Sequence, residues 1–166
     1  MKKVLSKLQN PLKELSQQID ESLTIRKATE RDIPQIIAIS QTTNSFKMSN
    51  LINEIDEQEL RFWISDKRSV VLVSVFNSVL LGYAYGFCIS PKWFFFDELV
   101  VSPRVRGIGV GKKMYAYLRE KCQKRGLQLI QGLVKESKIK TLKYWTVRGF
   151  HKGSKCIWVE DWLYKD

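Results

Sequence analysis

The stretch that most restricts the fold of this chain is Arg106-Gly107-Ile108-Gly109-Val110-Gly111, three alternate glycines in six residues. It follows an apolar run, Trp93 to Val101, that reads as a strand. It precedes a segment in which Val110, Met114, Leu118 and Cys122 recur every four residues, the mark of one buried helical face. A strand must therefore turn into a helix through backbone that carries almost no side chains, so main-chain N–H groups can approach a ligand closely. The free N–H groups and positive dipole end of the helix favour an anion, and Arg106, Lys112 and Lys113 add charge around it. Two nucleotide motifs fail at this turn. A dinucleotide fingerprint needs glycine where Lys112 stands, and a Walker loop needs glycine at Arg106 and Ser or Thr at Lys113.

The flanking pattern alternates helices and strands. Leu5, Leu8, Leu12, Leu15 and Ile19 fall on one helical face, interrupted by Asn10-Pro11, a cap and first-turn pair that predicts a short helix from Pro11 to about Ile19. Packing onto the domain is its expected role, and a homodimer seam is the alternative. Leu23 to Arg26 reads as a strand, and Thr29 opens a helix that buries Ile33, Ile36, Ile37 and Ile39. Gln41 to Asn50 is a polar loop, followed by a second helix from about Leu51 to Ser65 carrying Leu51, Ile55, Phe62 and Trp63. Val70 to Phe76 and Val79 to Ile89, split at Asn77-Ser78, form a hairpin. After the glycine turn and its helix, which Gly126 ends, come a strand from Leu127 to Val134, a helix from Lys138 to Arg148 and a closing strand from Ile157 to Tyr164 with Trp158 and Trp162. The sum is a mixed α/β or α+β domain.

At 166 residues the chain is the size of one domain. It has no apolar run of membrane-helix length and no signal-peptide pattern, so a cytoplasmic location without membrane association is expected. Cys88, Cys122 and Cys156 are dispersed and suggest packing, neither a disulfide framework nor a metal site. The net charge of +11 is concentrated: Pro103 to Lys155 holds fifteen Lys and Arg against Glu120 and Glu136, while Met1 to Ser102 holds twelve of each sign. Such a segment fits a phosphorylated cofactor, a nucleic acid or an anionic surface.

The run Val101-Ser102-Pro103-Arg104-Val105-Arg106-Gly107-Ile108-Gly109-Val110-Gly111 resembles the Q/R-x-x-G-x-G/A turn, preceded by V-x-P, of the Gcn5-related N-acetyltransferase (GNAT) family. Ile25-Arg26-Lys27-Ala28-Thr29 with Asp32 is similar to that family's opening strand and helix, and Trp145 to Phe150 to its aromatic-x-x-x-G-F close. The likeness covers roughly Leu23 to Tyr164 and implies a mostly antiparallel sheet splayed between its fourth and fifth strands, Trp93 to Val101 and Leu127 to Val134. It divides the chain into an amino-terminal helical extension, residues 1–20, and an acetyltransferase domain, residues 21–166. It further implies acetyl-CoA as cofactor, with pantetheine in the splay on the backbone of Leu99, Val100 and Val101. The pyrophosphate would lie on the N–H groups from Gly107 through Ile108, Gly109, Val110 and Gly111 to Lys112, beside Arg106. No metal is required, because a fixed N–H stabilises the oxyanion that amine attack on a thioester builds.

The implied reaction also needs a base and a donor for the departing thiolate. Asp97 and Glu98 are the base candidates. Neighbouring side chains on a regular strand face opposite ways, so one of them is expected in the acceptor cleft, Asp97 before Glu98, unless a β-bulge reverses the choice. The family's donor tyrosine is replaced by Trp145, which has no acidic proton, and Tyr144 projects about 100 degrees away on a helix. Three readings stay open: water assists, Tyr144 reaches the sulfur through an irregular turn, or the protein is a weak or non-catalytic acetyl-CoA binder. Lys138 stands where the family commonly has asparagine, which implies a charge contact to phosphate. His151 has no motif partner and reads as a surface or packing residue. The acceptor is a primary amine, whether small molecule, protein N-terminus or lysine, and Glu54, Asp56, Glu57 and Glu59 are either a lure for it or a solvated face. The alternative class is an RNA- or ribosome-associated basic protein on the same fold, although no RNA-binding motif appears.

Overall fold

The computed structural model describes residues 14, 17–19, 21–42 and 55–154. Within them five strands form one sheet in chain order: β1 (Thr24–Lys27), β2 (Ser69–Phe76), β3 (Val79–Ser90), β4 (Trp93–Val101) and β5 (Leu129–Gln131). The first four are antiparallel to their neighbours, and β5 lies parallel to β4. Among the described residues four fully described helices flank the sheet: α1 (Ile33–Gln41), α2 (Glu57–Ser65), α3 (Val110–Lys124) and α4 (Ile139–Thr146). The mixed, mostly antiparallel fold expected from the sequence is therefore the one observed.

The hairpin turn is as short as the sequence implied. Phe76 pairs with Val79, and Asn77 and Ser78 both adopt positive φ, 47° and 62°, the conformation that matches the twist of a two-residue hairpin. That pins the register of β2 and β3, which the core then uses on both faces. On one face Val70, Leu72, Leu81, Ala84, Phe94 and Phe96 pack under Val110, Met114, Leu118 and Cys122 of α3. On the other, Val71, Val73, Leu80, Tyr83, Tyr85 and Val100 pack against Ile33, Ile36 and Ile39 of α1 and Leu60 of α2. A sheet buried on both sides explains why β2 is buried from Ser69 to Ser74 without alternation. The four-residue spacing read for α3 holds at every position, and Gly126, at φ +75°, follows the cap residue Arg125.

Several boundaries differ from the sequence reading. The helix expected from Leu51 to Ser65 begins at Glu57, because the Asp56 side chain accepts from the backbone N–H of Glu59 at 2.7 Å and so caps it; Ile55 precedes the helix. Its buried anchor is Leu60, while Phe62 is 59% exposed. The strand expected from Leu127 to Val134 pairs only over Leu129–Gln131, and the helix expected from Lys138 to Arg148 spans Ile139–Thr146. Near the amino end, Glu14, Gln17 to Ile19, Glu21 and Ser22 are helical, and Ile19 is buried in the α3-side core. Leu5, Leu8, Leu12, Leu15, the loop through Asn50, Glu54, Cys156 and the closing strand at Ile157 to Tyr164 lie outside the described residues. Cys88 and Cys122 are free thiols, and burial next to Cys88 pushes Cys122 up to about 11, consistent with packing.

One ion pair joins β1 to the start of α1. Arg26 donates from both terminal nitrogens to Asp32 at 2.7 and 2.8 Å, and Asp32 also accepts from the Thr29 backbone N–H at 2.7 Å. These bonds, Arg26 first, draw Asp32 from its ordinary 3.8 down to about 2. A carboxyl depressed on folding stabilises the protein above its unfolded pKa and loses that contribution as pH falls through the folded one. Asp32→Asn should therefore cost about 1–3 kcal/mol in urea unfolding at pH 7. The difference from wild type should shrink as the pH is lowered from about 4 towards 2.

Candidate active site

The splay expected between β4 and β5 begins where their pairing stops. Trp93, Phe94 and Phe95 pair with Leu129, Ile130 and Gln131, and no strand among the described residues follows on that edge of β4. At Gly132 a Cβ would lie 2.6 Å from the Phe96 carbonyl oxygen, so the two backbones still touch one residue past the paired run and only glycine fits there. Among the described residues no main-chain partner follows on that edge of β4 from Asp97 to Val101.

The glycine turn sits at the end of that edge. A short 3-10 turn, Pro103–Val105, is anchored by the buried side chain of Val105, and Arg106 donates from Nε to the Val101 carbonyl at 3.0 Å. Gly107 and Gly109 then take φ of +87° and +97°, and Gly109 caps α3. The Lys113 N–H bonds the Gly109 carbonyl at 3.1 Å, the first bond of the helix, so the N–H groups from Gly109 to Lys112 have no intrahelical acceptor. Ile108 and Val110 turn inward to the α3-side core, while Arg106 and Lys112 are exposed. Lys138, the cap residue of α4, is exposed as well.

Tyr144 and Trp145 occupy different environments on a regular α4, with no irregular turn. Trp145 is packed against Phe96, Tyr115 and Phe150, with ring centroids 5.3, 5.3 and 5.1 Å away. The Tyr144 hydroxyl instead reaches the first turn of α3: a Cβ on Gly111 would lie 3.0 Å from it and 3.4 Å from Leu99 and Val101. This hydroxyl is buried, and among the described residues its polar neighbour is the Arg148 guanidinium, which makes no well-formed hydrogen bond to it. Burial raises its pKa, while the Arg148 guanidinium, 3.5 Å from the ring centroid, pulls it back down. A buried hydroxyl without a well-formed hydrogen bond, beside Leu99, Val101 and the first turn of α3, is a ready partner for a polar atom of a ligand.

The carboxylates overturn the expectation that only one of them faces the cleft. Phe96 and Leu99 point to the α3 side, yet both Asp97 and Glu98 point to the α1 and α2 side. The register shows the reason. Tyr85 opposes Glu98 and Gly86 opposes Phe96, so Asp97 is an extra residue, a β-bulge that breaks the alternation. Glu98 is buried and accepts from the Tyr83 hydroxyl at 2.8 Å. Asp97 lies in the neighbourhood of the Tyr85 hydroxyl; burial raises its pKa and Tyr85 partly offsets this. Glu59, in the first turn of α2, is raised too, by desolvation and by the charges of Asp56 and Asp97. Of the other acids expected near the acceptor, Asp56 caps α2 and Glu57 is paired with Arg61. His151 is exposed.

Sequence reasoning did not single out Tyr83, Tyr85, Trp63 or Gly132 as part of this region. Tyr83 and Tyr85 share a strand face by their spacing of two, a visible signal; that Glu98 and Asp97 both fall on that face depends on the bulge, which no residue announces. Val100, named for its backbone, buries its side chain against α1.

Residues 36–150 match the model of the acetyltransferase (GNAT) family. Among solved structures the fold is shared with an aminoglycoside acetyltransferase from an uncultured soil metagenomic sample, in complex with sisomicin, at 18% identity over 88% of this chain and 99% of that chain, TM-score 0.71. It is shared with the PaiA N-acetyltransferase of Thermoplasma acidophilum in complex with coenzyme A, at 16% identity over 81% and 93%, TM-score 0.73. A third is the ribosomal-protein-S18-alanine N-acetyltransferase of Escherichia coli, at 17% identity over 80% and 79%, TM-score 0.69. No curated protein matches the chain in sequence.

The turn makes a physical demand that can be measured without ligand. Space is open around Gly109, so an added Cβ would meet nothing, and the cost of substitution lies in its left-handed backbone alone. Gly109→Ala should lower stability by about 1–2 kcal/mol in chemical denaturation.

Proposed function

The chain belongs to the acetyltransferase (GNAT) family, and from that premise we propose that it transfers an acetyl group from acetyl-CoA to a primary amine that arrives as a cation. The observation that carries this reading is the two-sidedness of β4. Its α3 side presents Leu99, Val101, the Tyr144 hydroxyl and the free N–H groups of the glycine turn, and its α1 and α2 side presents Asp97 and Glu98.

The residues present fit the cofactor. The N–H groups from Gly107 to Lys112 would hold the pyrophosphate, with Arg106, Lys112 and Lys138 as nearby cations, and the open edge of β4 from Leu99 to Val101 would take the pantetheine. Acetyl-CoA supplies the thioester whose acyl carbon is transferred. On the protein's side, Asp97 accepts the ammonium proton, a task for which a raised carboxyl is better matched than an ordinary one. Tyr144 holds a proton at Oη on the opposite side of the strand, which makes it the donor in the place left by Trp145. Glu98, tied to Tyr83, adds negative potential that favours a cationic acceptor. Glu59 does the same from α2.

The test is isothermal titration of acetyl-CoA into wild type and Gly109→Glu, then thiol release with spermidine, aminoglycosides and peptides bearing a free amino terminus or lysine. Saturable binding in the wild type, lost in the variant, together with thiol release for one amine class, is the expected result. Asp97→Asn should leave binding intact and lower kcat by about 10²- to 10⁴-fold, and Tyr144→Phe should lower it less, since water can replace a donor. No binding heat at micromolar acetyl-CoA, with salt-sensitive RNA binding instead, would overturn the reading and favour the basic surface of Pro103 to Lys155 as the working part.

A further inference from the structure

Tyr144 is held by a side chain from the end of its own helix. The Arg148 guanidinium lies over the face of the Tyr144 ring, its carbon 3.5 Å from the ring centroid. At that distance the two flat groups touch, and the positive charge sits on the negative face of the ring. Arg148 is itself tied down where α4 ends. Its backbone N–H goes to the Trp145 carbonyl at 2.9 Å, and the Tyr144 carbonyl accepts from Arg148 Nη1 at 2.6 Å. Its Nε–H is buried and has no hydrogen-bond partner among the described residues, so the ring and the one carbonyl set where the guanidinium lies.

Other sides of the ring are bounded as well. Trp145 meets it edge-on, with centroids 4.9 Å apart and planes at 88°. The hydroxyl ends at the first turn of α3, where a Cβ on Gly111 would lie 3.0 Å away. A contact that tight is relieved only if the phenol gives way slightly, and a guanidinium stacked on its face opposes the movement. We infer that Arg148 is a positioning residue for Tyr144, clamping the phenol so that its hydroxyl stays against the first turn of α3. The part this plays in catalysis rests on the proposed acetyl transfer; the clamp does not. In that reaction Tyr144 gives its Oη proton to the departing thiolate: the O–H bond breaks, an S–H bond forms, and the electron pair stays on Oη until water returns a proton. The guanidinium on the ring then faces a phenolate, which it attracts more strongly than it attracts the phenol.

The clamp is tested without ligand by a double-mutant cycle in urea unfolding. Gly111→Ala sets a Cβ against the hydroxyl, and its effect depends on whether Tyr144 can yield. Arg148→Met keeps the length of the side chain but loses the charge and the flat face. The midpoint change caused by Gly111→Ala should be more favourable in Arg148→Met than in wild type, by about 0.3 M urea. Tyr144→Phe, which removes the hydroxyl, should relieve Gly111→Ala to a similar extent. An identical Gly111→Ala change in wild type and Arg148→Met overturns the inference. Arg148→Lys, with the charge but no flat face to stack, gives the same reading should the methionine variant unfold. The catalytic part is read from thiol release with an amine that the wild type accepts. Arg148→Met should lower kcat by about three- to tenfold with KM for acetyl-CoA unchanged, yet alter kcat by less than about twofold once Tyr144 is phenylalanine. Equal factors in the two backgrounds mean that Arg148 acts apart from Tyr144, and overturn its role in the reaction. A coupled cycle in a protein that releases no thiol with any amine leaves the clamp standing and removes the proposed transfer.

Discussion

The arrangement of this protein depends on one strand serving two compartments. β4 is the last strand of the antiparallel run, and its partner on the open side, β5, pairs with it for three residues, with Gly132 still against Phe96 just beyond. On a regular strand the side chains beyond that point would alternate, giving each compartment one residue in two. The bulge at Asp97 changes the allotment: two consecutive carboxylates face α1 and α2, and the apolar sequence Leu99 to Val101 resumes alternation afterwards. A cluster of negative charge is thus placed on one side of a strand whose other side is lined by apolar side chains and a helix terminus with free N–H groups. Those are complementary environments for a cation and a phosphorylated ligand, separated by the thickness of a single strand.

The second constraint is steric and concerns the first turn of α3. Gly111 has an ordinary helical backbone, so its glycine is not demanded by conformation. It leaves room for the Tyr144 hydroxyl, which would make a tight 3.0 Å contact with a Cβ placed there. Gly107 and Gly109 are required for a different reason, their positive φ. The three alternate glycines therefore serve two purposes, two of them shaping the turn and one leaving room for a tyrosine delivered from a helix thirty residues later. Trp145, one position on, fills the aromatic cluster with Phe96, Tyr115 and Phe150, and that packing fixes the rotation of α4 that points Tyr144 to the turn.

Much of this was legible in the residues themselves. The spacing of Val110, Met114, Leu118 and Cys122 named the buried face of α3, the Asn77-Ser78 pair located the hairpin, and β4 was read to its observed ends. These signals are local: periodicity and turn chemistry act over a few residues. What was not legible depends on contacts between distant segments. That Asp97 and Glu98 share a face follows from how β4 registers on β3, and that Tyr144 points to α3 follows from where Trp145 is packed. The start of α2 was misjudged for a local reason, since Leu51 and Ile55 extend its apolar periodicity beyond the Asp56 cap that ends it. The early end of β5 at Gln131 is not revealed by the apolar Leu133 and Val134 that follow.

The central claim, that the α3 side of β4 and the glycine turn form the cofactor face while the α1 and α2 side is kept for the acceptor, is tested most directly by mapping amide chemical shifts in ¹⁵N-labelled protein titrated with coenzyme A. The account predicts large, saturable shifts at Gly107, Gly109, Gly111, Lys112 and Val101, with Ile36 and Leu60 unmoved. Shifts confined to the α1 and α2 side, or none at millimolar coenzyme A, would contradict it.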